Sequence, residues 1–269
     1  YDSSVLSIVI SAVPLERMSA HLKPEEKLSQ LMQIGDLDAL ERKAIDLATL
    51  VSDESGIPIE YFGVTGSLLL DIYQDFSDID LIVYGATNSE AVKETLVRFY
   101  EERRSPIQRF DEGRVRELGL AKARMYPLTY EEAVTIFKRK WGRGLFRGTA
   151  FSAHPVKLDG DVSERYGDKI FEPEGMVKIE ATVSDASEAD FLPSVYKVED
   201  VKMFDAPVVR DIYEVVSYEG FYGGMAEKGE KIVAYGKLER VMNQKDGIEY
   251  HRVLVGSKEA MGSDYIKLK

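Results

Sequence analysis

The two side chains best suited to chemistry in this 269-residue chain are Asp78 and Asp80, which lie one residue apart in an apolar stretch. A β-strand sends alternate side chains to opposite faces. A strand over residues 77–84 (SDIDLIVY) would therefore present both carboxylates on one face and apolar side chains on the other. Two neighbouring carboxylates repel each other unless a proton or cation lies between them. Since Mg²⁺ prefers such oxygen ligands together with substrate phosphates, the pair predicts a site for Mg²⁺ or Mn²⁺.

A glycine–serine turn, Gly66-Ser67, precedes the aspartates. The sequence predicts a short buried strand at 57–64 (IPIEYFGV) and one or two helical turns at 68–73. Glycine allows a backbone or a ligand to approach closely, and the start of a helix favours an anion such as phosphate near Ser67. Turn and carboxylates together predict a phosphate cradle beside a metal site, which is what phosphoryl or nucleotidyl transfer requires.

The order of Gly66-Ser67, a short helix, and Ser77 directly before Asp78 and Asp80 resembles the signature of the DNA polymerase beta-like nucleotidyltransferase superfamily. The resemblance covers residues 36–100. More loosely, the chain resembles archaeal predicted nucleotidyltransferases with a β-rich C-terminal part. The superfamily resemblance implies a mixed α/β catalytic domain, a divalent metal and a nucleoside triphosphate donor such as ATP.

Within this resemblance the turn residues would bind the β- and γ-phosphates, Ser77 would join them in binding nucleotide, and the aspartates would hold two metal ions. Two other interpretations of the motif stay open. One is an ordinary turn and strand whose aspartates face solvent, and the other is a transferase that has kept the fold and lost the activity.

A third acidic residue is the weakest part of the resemblance. Active members of the superfamily generally supply it from a later strand, where it also acts as the base for the acceptor hydroxyl. The best later strand is predicted at 149–159 (TAFSAHPVKLD), and its first carboxylate is Asp159. Asp159 is therefore the candidate third ligand or base, although Asp159-Gly160-Asp161 equally predicts a turn. His154, with an unperturbed pKa of about 6.5, is the other candidate base, against the simpler interpretation of a packed strand histidine.

A basic segment broken by glycines, 138–148 (KRKWGRGLFRG), is the second candidate site. Cations interleaved with aromatic residues suit phosphate contacts and base stacking. Cations that complement a helix C-terminus, with Trp141 in the core, would explain the same pattern. The candidate nucleotide- or acceptor-binding residues are Arg139, Lys140, Arg143 and Arg147.

The composition limits the classes of function. The chain has no cysteine, which excludes disulfides and thiolate zinc sites. Its three histidines are far apart and have no metal-ligand spacing. The net charge of −12 makes it a poor general nucleic-acid binder, although residues 98–147 carry 13 basic against 7 acidic residues. No apolar run approaches the ~20 residues of a membrane helix, so a cytoplasmic protein without membrane association is expected.

The pattern of elements predicts an α+β protein that ends in a small β-barrel, and the resemblance implies that the part before it is a nucleotidyltransferase-type mixed sheet flanked by helices. Capping boxes at Thr87–Glu90 and Thr129–Glu132 predict two helix starts. We expect the catalytic domain at 36–170 and the β-rich domain at 171–269. Because the chain begins with Tyr1 rather than methionine, 1–35 is expected to belong to a truncated domain. The barrel strands, for which an OB-like arrangement is one alternative, are predicted at 176–183, 195–203, 208–217, 231–241 and 249–256.

The sequence therefore predicts a metal-dependent nucleotidyltransferase acting on an acceptor hydroxyl in RNA, protein or a small molecule. One competing hypothesis is a nucleotide- or RNA-binding module of the same fold without catalysis. Another is a structural subunit whose β-rich part recruits partners. The sequence leaves the acceptor and homo-oligomerisation open.

Overall fold

A computed structural model describes residues 1–9, 11–204 and 211–269. The α-helices in this part of the chain are α1 (Pro24–Gln33), α2 (Ala39–Ser55), α3 (Gly66–Leu69), α4 (Ala86–Glu101), α5 (Glu112–Met125) and α6 (Tyr130–Lys138). The strands are β1 (Asp2–Ser3), β2 (Ile8–Val9), β3 (Phe62–Thr65), β4 (Ile79–Tyr84), β5 (Ile107–Gln108), β6 (Arg143–Phe146), β7 (Thr149–Val156), β8 (Lys169–Glu188), β9 (Ser194–Met203), β10 (Ile212–Ser217), β11 (Lys231–Asn243), β12 (Glu249–Val255) and β13 (Tyr265–Leu268). No helix among them is long and apolar enough to cross a membrane.

The chain forms two compact units, each made from separated stretches of sequence. The mixed-sheet unit contains Pro14–Asp111 and Trp141–Val162, and the barrel unit contains Tyr1–Val13, Glu112–Lys140 and Ser163–Lys269. These units differ from the predicted domains, because α1 belongs to the mixed-sheet unit and α5 and α6 belong to the barrel unit. The apolar side chains of α6 explain its place, since they join the same buried cluster as the barrel strands.

The mixed-sheet unit has five strands in the order β3-β4-β7-β6-β5. β4 and β7 run parallel, and the other neighbours are antiparallel. The alternate apolar residues of β4, such as Leu81, form one buried cluster with Leu47 of α2 and Leu96 of α4. Because strand residues alternate between faces, Asp80 projects from the opposite face.

Local signals explain most of the helix starts. α6 begins at the predicted capping box, in which the Thr129 hydroxyl accepts from the Glu132 amide. The predicted box at 87–90 is wrong, because α4 begins at Ala86 with Gly85 as its N-cap. Gly85 has φ +100, so the chain turns directly from β4 into the helix.

The strands beside the motif are shorter than predicted. A 3₁₀ turn, Ile59–Tyr61, replaces the first half of the strand expected at 57–64. β7 ends at Val156, before the predicted limit of 159.

The barrel unit closes a ring of five strands in the order β8-β9-β10-β12-β11, with β11 returning to β8. β10 and β12 are parallel, and the other pairs in the ring are antiparallel. β13 adds to the N-terminal part of β11. The five predicted strands correspond to this ring, although the start of the one expected at 208–217 lies outside the described residues. The α+β prediction is therefore confirmed at the level of a mixed sheet with helices and a β-rich unit.

Candidate functional site

One row of side chains crosses the mixed sheet on the face opposite its packed helices. Thr65 of β3, Asp80 of β4, Ser152 of β7 and Arg143 of β6 are successive partners in the strand register. Directly paired residues on neighbouring strands share a face. The register therefore brings one predicted aspartate together with one predicted basic residue and with a serine that the sequence did not single out.

The Asp80 carboxylate is fixed on both sides. The Ser152 hydroxyl lies 2.5 Å from its Oδ1 atom. A Cβ atom placed on Gly66 would lie 2.1 Å from Oδ2, and Gly66 has φ +65. The close approach that the sequence predicted at Gly66 is therefore made by a protein carboxylate. The following helix, α3, has only four residues, so the dipole argument for phosphate beside Ser67 loses its basis.

The hydrogens of this cluster can be counted. An ionised carboxylate only accepts hydrogen bonds, so the single hydroxyl hydrogen of Ser152 points to Asp80. His154 Nε2 lies 2.6 Å from the same Ser152 oxygen, and it must therefore be the donor in that contact. A neutral imidazole that donates from Nε2 has its lone pair on Nδ1.

Electrostatics keep Asp80 ionised at neutral pH. The His154 ring, whose Nε2 atom lies 3.6 Å from Oδ1, is the strongest influence that lowers the pKa of the Asp80 carboxyl. The Ser152 hydroxyl and the Arg143 guanidinium act in the same direction, while partial burial of the carboxylate raises the pKa. Asp80 is thus a partly desolvated anion, with 24% of its side chain exposed.

The other residues of the predicted motif, Asp78, Ser77 and Ser67, do not share the surroundings of Asp80. Asp78 directly precedes β4 and is exposed. Within the part of the chain that the structure describes, no hydrogen-bond donor contacts its carboxylate. Ser77 stabilises the preceding loop, because its hydroxyl accepts from the Gln74 amide at 2.9 Å. Ser67 is half-buried beside Gly66.

Two of the predicted phosphate-binding cations instead stabilise the barrel unit. The Arg139 guanidinium forms a bidentate ion pair with Glu230, with distances of 2.5 and 2.8 Å. The Lys140 ammonium donates to the carbonyls of Gly220 and Gly223. Both cations therefore have structural partners within the barrel unit.

The remaining two cations lie in the mixed-sheet unit. Arg143 belongs to the row with Asp80, and it is exposed. Arg147 forms an ion pair with Asp46 at 2.5 Å. Trp141 is 6% exposed and packs in the core, as in the alternative interpretation of the basic segment. Of the four predicted cations, Arg143 is the one that shares the row with Asp80.

Asp159 lies away from Asp80, and its prediction as the third acid is wrong. β7 pairs Ser152 with Asp80 and Val156 with Tyr84. Four strand residues span about 13 Å, and Asp159 follows beyond them in an exposed 3₁₀ turn. The predicted turn at this position is confirmed.

The predicted metal site at Asp78 and Asp80 stays a prediction. Two carboxylates with hard oxygen ligands, one ionised by its surroundings and one without a donor, fit a Mg²⁺ ion. The position beside Asp80 on β7 has a serine in place of a further carboxylate. In residues 1–9, 11–204 and 211–269, no three His, Asp or Glu side chains are grouped as a metal-binding set.

Sequence reasoning missed two features of the site. Ser152 and His154 lie two residues apart on β7 and therefore share a face of the strand. This spacing could have identified Ser152 from the sequence. The loop between α3 and β4 exposes three large apolar side chains, which no strand or helix pattern would pick out. They are Leu70, Ile72 and Phe76, and Phe76 is 88% exposed.

The contact between Gly66 and Asp80 predicts a specific loss of stability. Gly66→Ala should destabilise the protein by about 1–2 kcal/mol for the positive φ and by about 1–3 kcal/mol more for crowding the carboxylate. Gly56→Ala is the matched control, because Gly56 has φ +71 and no atom within 4 Å of the added Cβ. Chemical denaturation measures both variants. Equal losses would contradict the contact, and Asp80→Ala should remove the excess in the Gly66→Ala background.

The influence of His154 on Asp80 predicts a change in titration. His154→Gln should raise the pKa of the Asp80 carboxyl, because it removes the strongest lowering influence. The ionised Asp80 carboxylate makes its full contribution to the free energy of unfolding above the ordinary carboxyl pKa of about 4. This contribution is lost as the pH falls through the lower pKa of the carboxyl in the folded protein. The variant should therefore lose this stability at a higher pH than the wild type. Carbon-13 NMR titration of the carboxyl is the measurement, with His251→Gln in the barrel unit as control; an unchanged Asp80 titration would refute the assignment.

Comparison with known proteins finds one relative by sequence. The chain is 34% identical over 270 residues to an uncharacterized protein, MJ1086, of Methanocaldococcus jannaschii, and the alignment covers all of the chain and 76% of that protein. No protein-family model matches the chain. No solved structure matches it significantly. At this identity and coverage, the chain belongs to the same family as the M. jannaschii protein.

Proposed function

We propose that the protein is a metal-dependent nucleotidyltransferase, which transfers a nucleoside monophosphate from a nucleoside triphosphate to an acceptor hydroxyl and releases pyrophosphate. The observation that carries the proposal is the register that places Asp80 against Gly66 on one side and in a row with Arg143 on the other. This arrangement brings the predicted Gly66 turn, one carboxylate of the aspartate pair and one cation together on one face of the mixed sheet.

Each residue has a role in this proposal. Asp78 and Asp80 would hold Mg²⁺, which when bound neutralises phosphate charge in the transition state. Ser67 and Arg143 would contact the triphosphate, Arg143 through charge-assisted hydrogen bonds. His154 is the remaining candidate base for the acceptor hydroxyl, because a neutral ring that donates from Nε2 can accept a proton on Nδ1 and Asp159 lies elsewhere.

The exposed apolar loop suits the nucleoside part of a substrate. Phe76 is separated from Asp78 by one residue, so their Cα atoms lie within about 7 Å. An exposed aromatic ring at that distance from the carboxylates can stack on a base, a contact of about 1–3 kcal/mol. RNA, a second nucleotide and nucleoside-containing small molecules are acceptors with that chemistry.

For the barrel unit we propose an OB-like role in recruiting a partner or acceptor. Its five-stranded ring with one parallel, non-sequential pair supports a Greek-key barrel of that type. The acidic balance of residues 172–269, with 19 acidic against 13 basic residues, disfavours a nucleic-acid backbone as its partner. A triphosphate donor is consistent with a cytoplasmic location.

A second candidate function is nucleotide binding without transfer. The observation that favours it is Ser152, which takes the position beside Asp80 where a third carboxylate would be expected. In this function the same residues would bind nucleotide, and the chemical step would be absent.

Transfer of radiolabel from α-labelled nucleoside triphosphates, with Mg²⁺ and a panel of RNA, protein and small-molecule acceptors, distinguishes the two functions. Asp78→Asn and Asp80→Asn should each lower the transfer rate by about 10²–10³-fold, the range for losing one electrostatic contact in a transition state. Asp159→Asn is the matched control and should leave the rate unchanged. Nucleotide binding without any transfer would favour the binding module.

Two of the four basic residues, Arg143 and Arg147, should differ in their effect on nucleotide affinity. Arg143→Met should weaken binding of a nucleoside triphosphate about tenfold or more, since a hydrogen bond to a charged group contributes about 1.5–3 kcal/mol. Arg147→Met should not change it, because Arg147 is paired with Asp46. Isothermal titration calorimetry with Mg²⁺ and ATP measures both variants. If the two variants behaved alike, Arg143 would have no special part in the site.

A further inference from the structure

We infer that the imidazole of His154 is the nucleophile of a two-step transfer, in which its Nδ1 atom carries the nucleotidyl group before the acceptor takes it. The inference rests on the proposed function for its substrate, a nucleoside triphosphate. The choice of nucleophile follows from the hydrogen bonds, the exposure and the charges around His154.

The hydrogen bonds leave one nitrogen of the His154 ring available. Nε2 lies 2.6 Å from the Ser152 hydroxyl oxygen, whose own hydrogen points to Asp80 Oδ1 at 2.5 Å. Nε2 is therefore the donor, and a neutral ring then has its lone pair on Nδ1. Among residues 1–9, 11–204 and 211–269, no hydrogen-bond partner contacts Nδ1. Since 43% of the His154 side chain is exposed, a substrate can reach the ring.

The neighbouring hydroxyl is less suited to covalent attack than the imidazole. Ser152 is 2% exposed, so a bulky triphosphate cannot reach it, and its hydrogen is already donated to Asp80. A serine must also lose a proton to a base when it attacks, whereas a neutral imidazole attacks through a lone pair that it already has. This difference matters because the position beside Asp80 on β7 holds a serine where a third carboxylate would be expected.

The surrounding charges suit a ring that becomes positive. A neutral imidazole that bonds to phosphorus becomes a cation, and an anion nearby stabilises such a charge. Asp80 Oδ1 lies 3.6 Å from Nε2, and the Ser152 hydroxyl joins the two groups. The exposed Arg143 pairs with Ser152 from the β6 side, where a guanidinium can bind phosphate oxygens.

Bonds, electrons and protons balance over the two steps. In the first step the Nδ1 lone pair forms a bond to the α-phosphorus, the bond from that phosphorus to the β-phosphate oxygen breaks, and pyrophosphate leaves with the electron pair. In the second step the acceptor oxygen bonds to the phosphorus and the phosphorus–nitrogen bond breaks. Its electron pair returns to Nδ1, which takes the proton of the acceptor and later releases it to water. His154 is thus the nucleophile first and the base second.

Covalent labelling of the full chain, without an acceptor, tests the inference. The protein is incubated with Mg²⁺ and a nucleoside triphosphate radiolabelled at the α-phosphate, then quenched in an alkaline denaturant, in which a phosphorus–nitrogen bond to histidine survives. The protein should become labelled, and mild acid should remove the label. Mass spectrometry should place the nucleotidyl group on His154 in the tryptic peptide 148–157. A label at the γ-phosphate should not be transferred to the protein.

Exchange of labelled pyrophosphate into the nucleoside triphosphate detects the same intermediate when little of it accumulates, because the first step is reversible. The wild type should catalyse this exchange without an acceptor. His154→Gln should abolish both labelling and exchange, and His154→Asn is the second variant if the first does not fold. His251→Gln, which changes a histidine of the barrel unit, is the matched control and should leave both unchanged.

A nucleotidyl group on His154 together with pyrophosphate exchange would support the inference. Transfer to an acceptor with neither labelling nor exchange would overturn it and keep the proposed function, with His154 as a base alone. An acid-stable label, or a label on another residue, would also overturn it. Labelled His154 without transfer to any acceptor would support the inference and remove the transferase, whereas the absence of label, exchange and transfer would overturn both.

Discussion

A carboxylate that is partly withdrawn from water needs room for its two oxygens and a donor to keep its charge. Asp80 obtains the room from Gly66, whose missing side chain leaves space for Oδ2. It obtains the donor from Ser152 across the parallel pair of strands. These two requirements tie the turn after β3 and the register between β4 and β7 to one side chain. The polar face of the mixed sheet depends on that arrangement.

Features encoded over a few residues could be predicted from the sequence. The alternation in residues 79–84 gave the buried face of β4, because a strand pattern needs no distant partner to be recognised. The capping box at Thr129 gave the start of α6, since its hydrogen bonds are local. Gly85 shows the limit of local rules, because a glycine with positive φ starts α4 two residues before the position where a capping box was expected.

Features that depend on distant pairing could not be predicted. Ser152 is an ordinary strand residue until the register places it beside Asp80, 72 residues earlier in the chain. Arg139 and Arg143 have similar local surroundings in the sequence. Their roles differ because Glu230 meets one of them and the row containing Asp80 includes the other. Composition identified a basic segment, and only tertiary contacts decide which of its charges are already neutralised.

The chain passes between its two units four times along its length, since α5 and α6 interrupt the mixed-sheet unit and residues 1–13 belong with the barrel strands. During synthesis, β4 therefore leaves the ribosome long before β7 is available to pair with it. The apolar face of α6 likewise has no packing partner until the later barrel strands have been synthesised. Neither unit corresponds to a continuous piece of the gene. Exchange of one unit by recombination would therefore need a crossover at each of these four junctions.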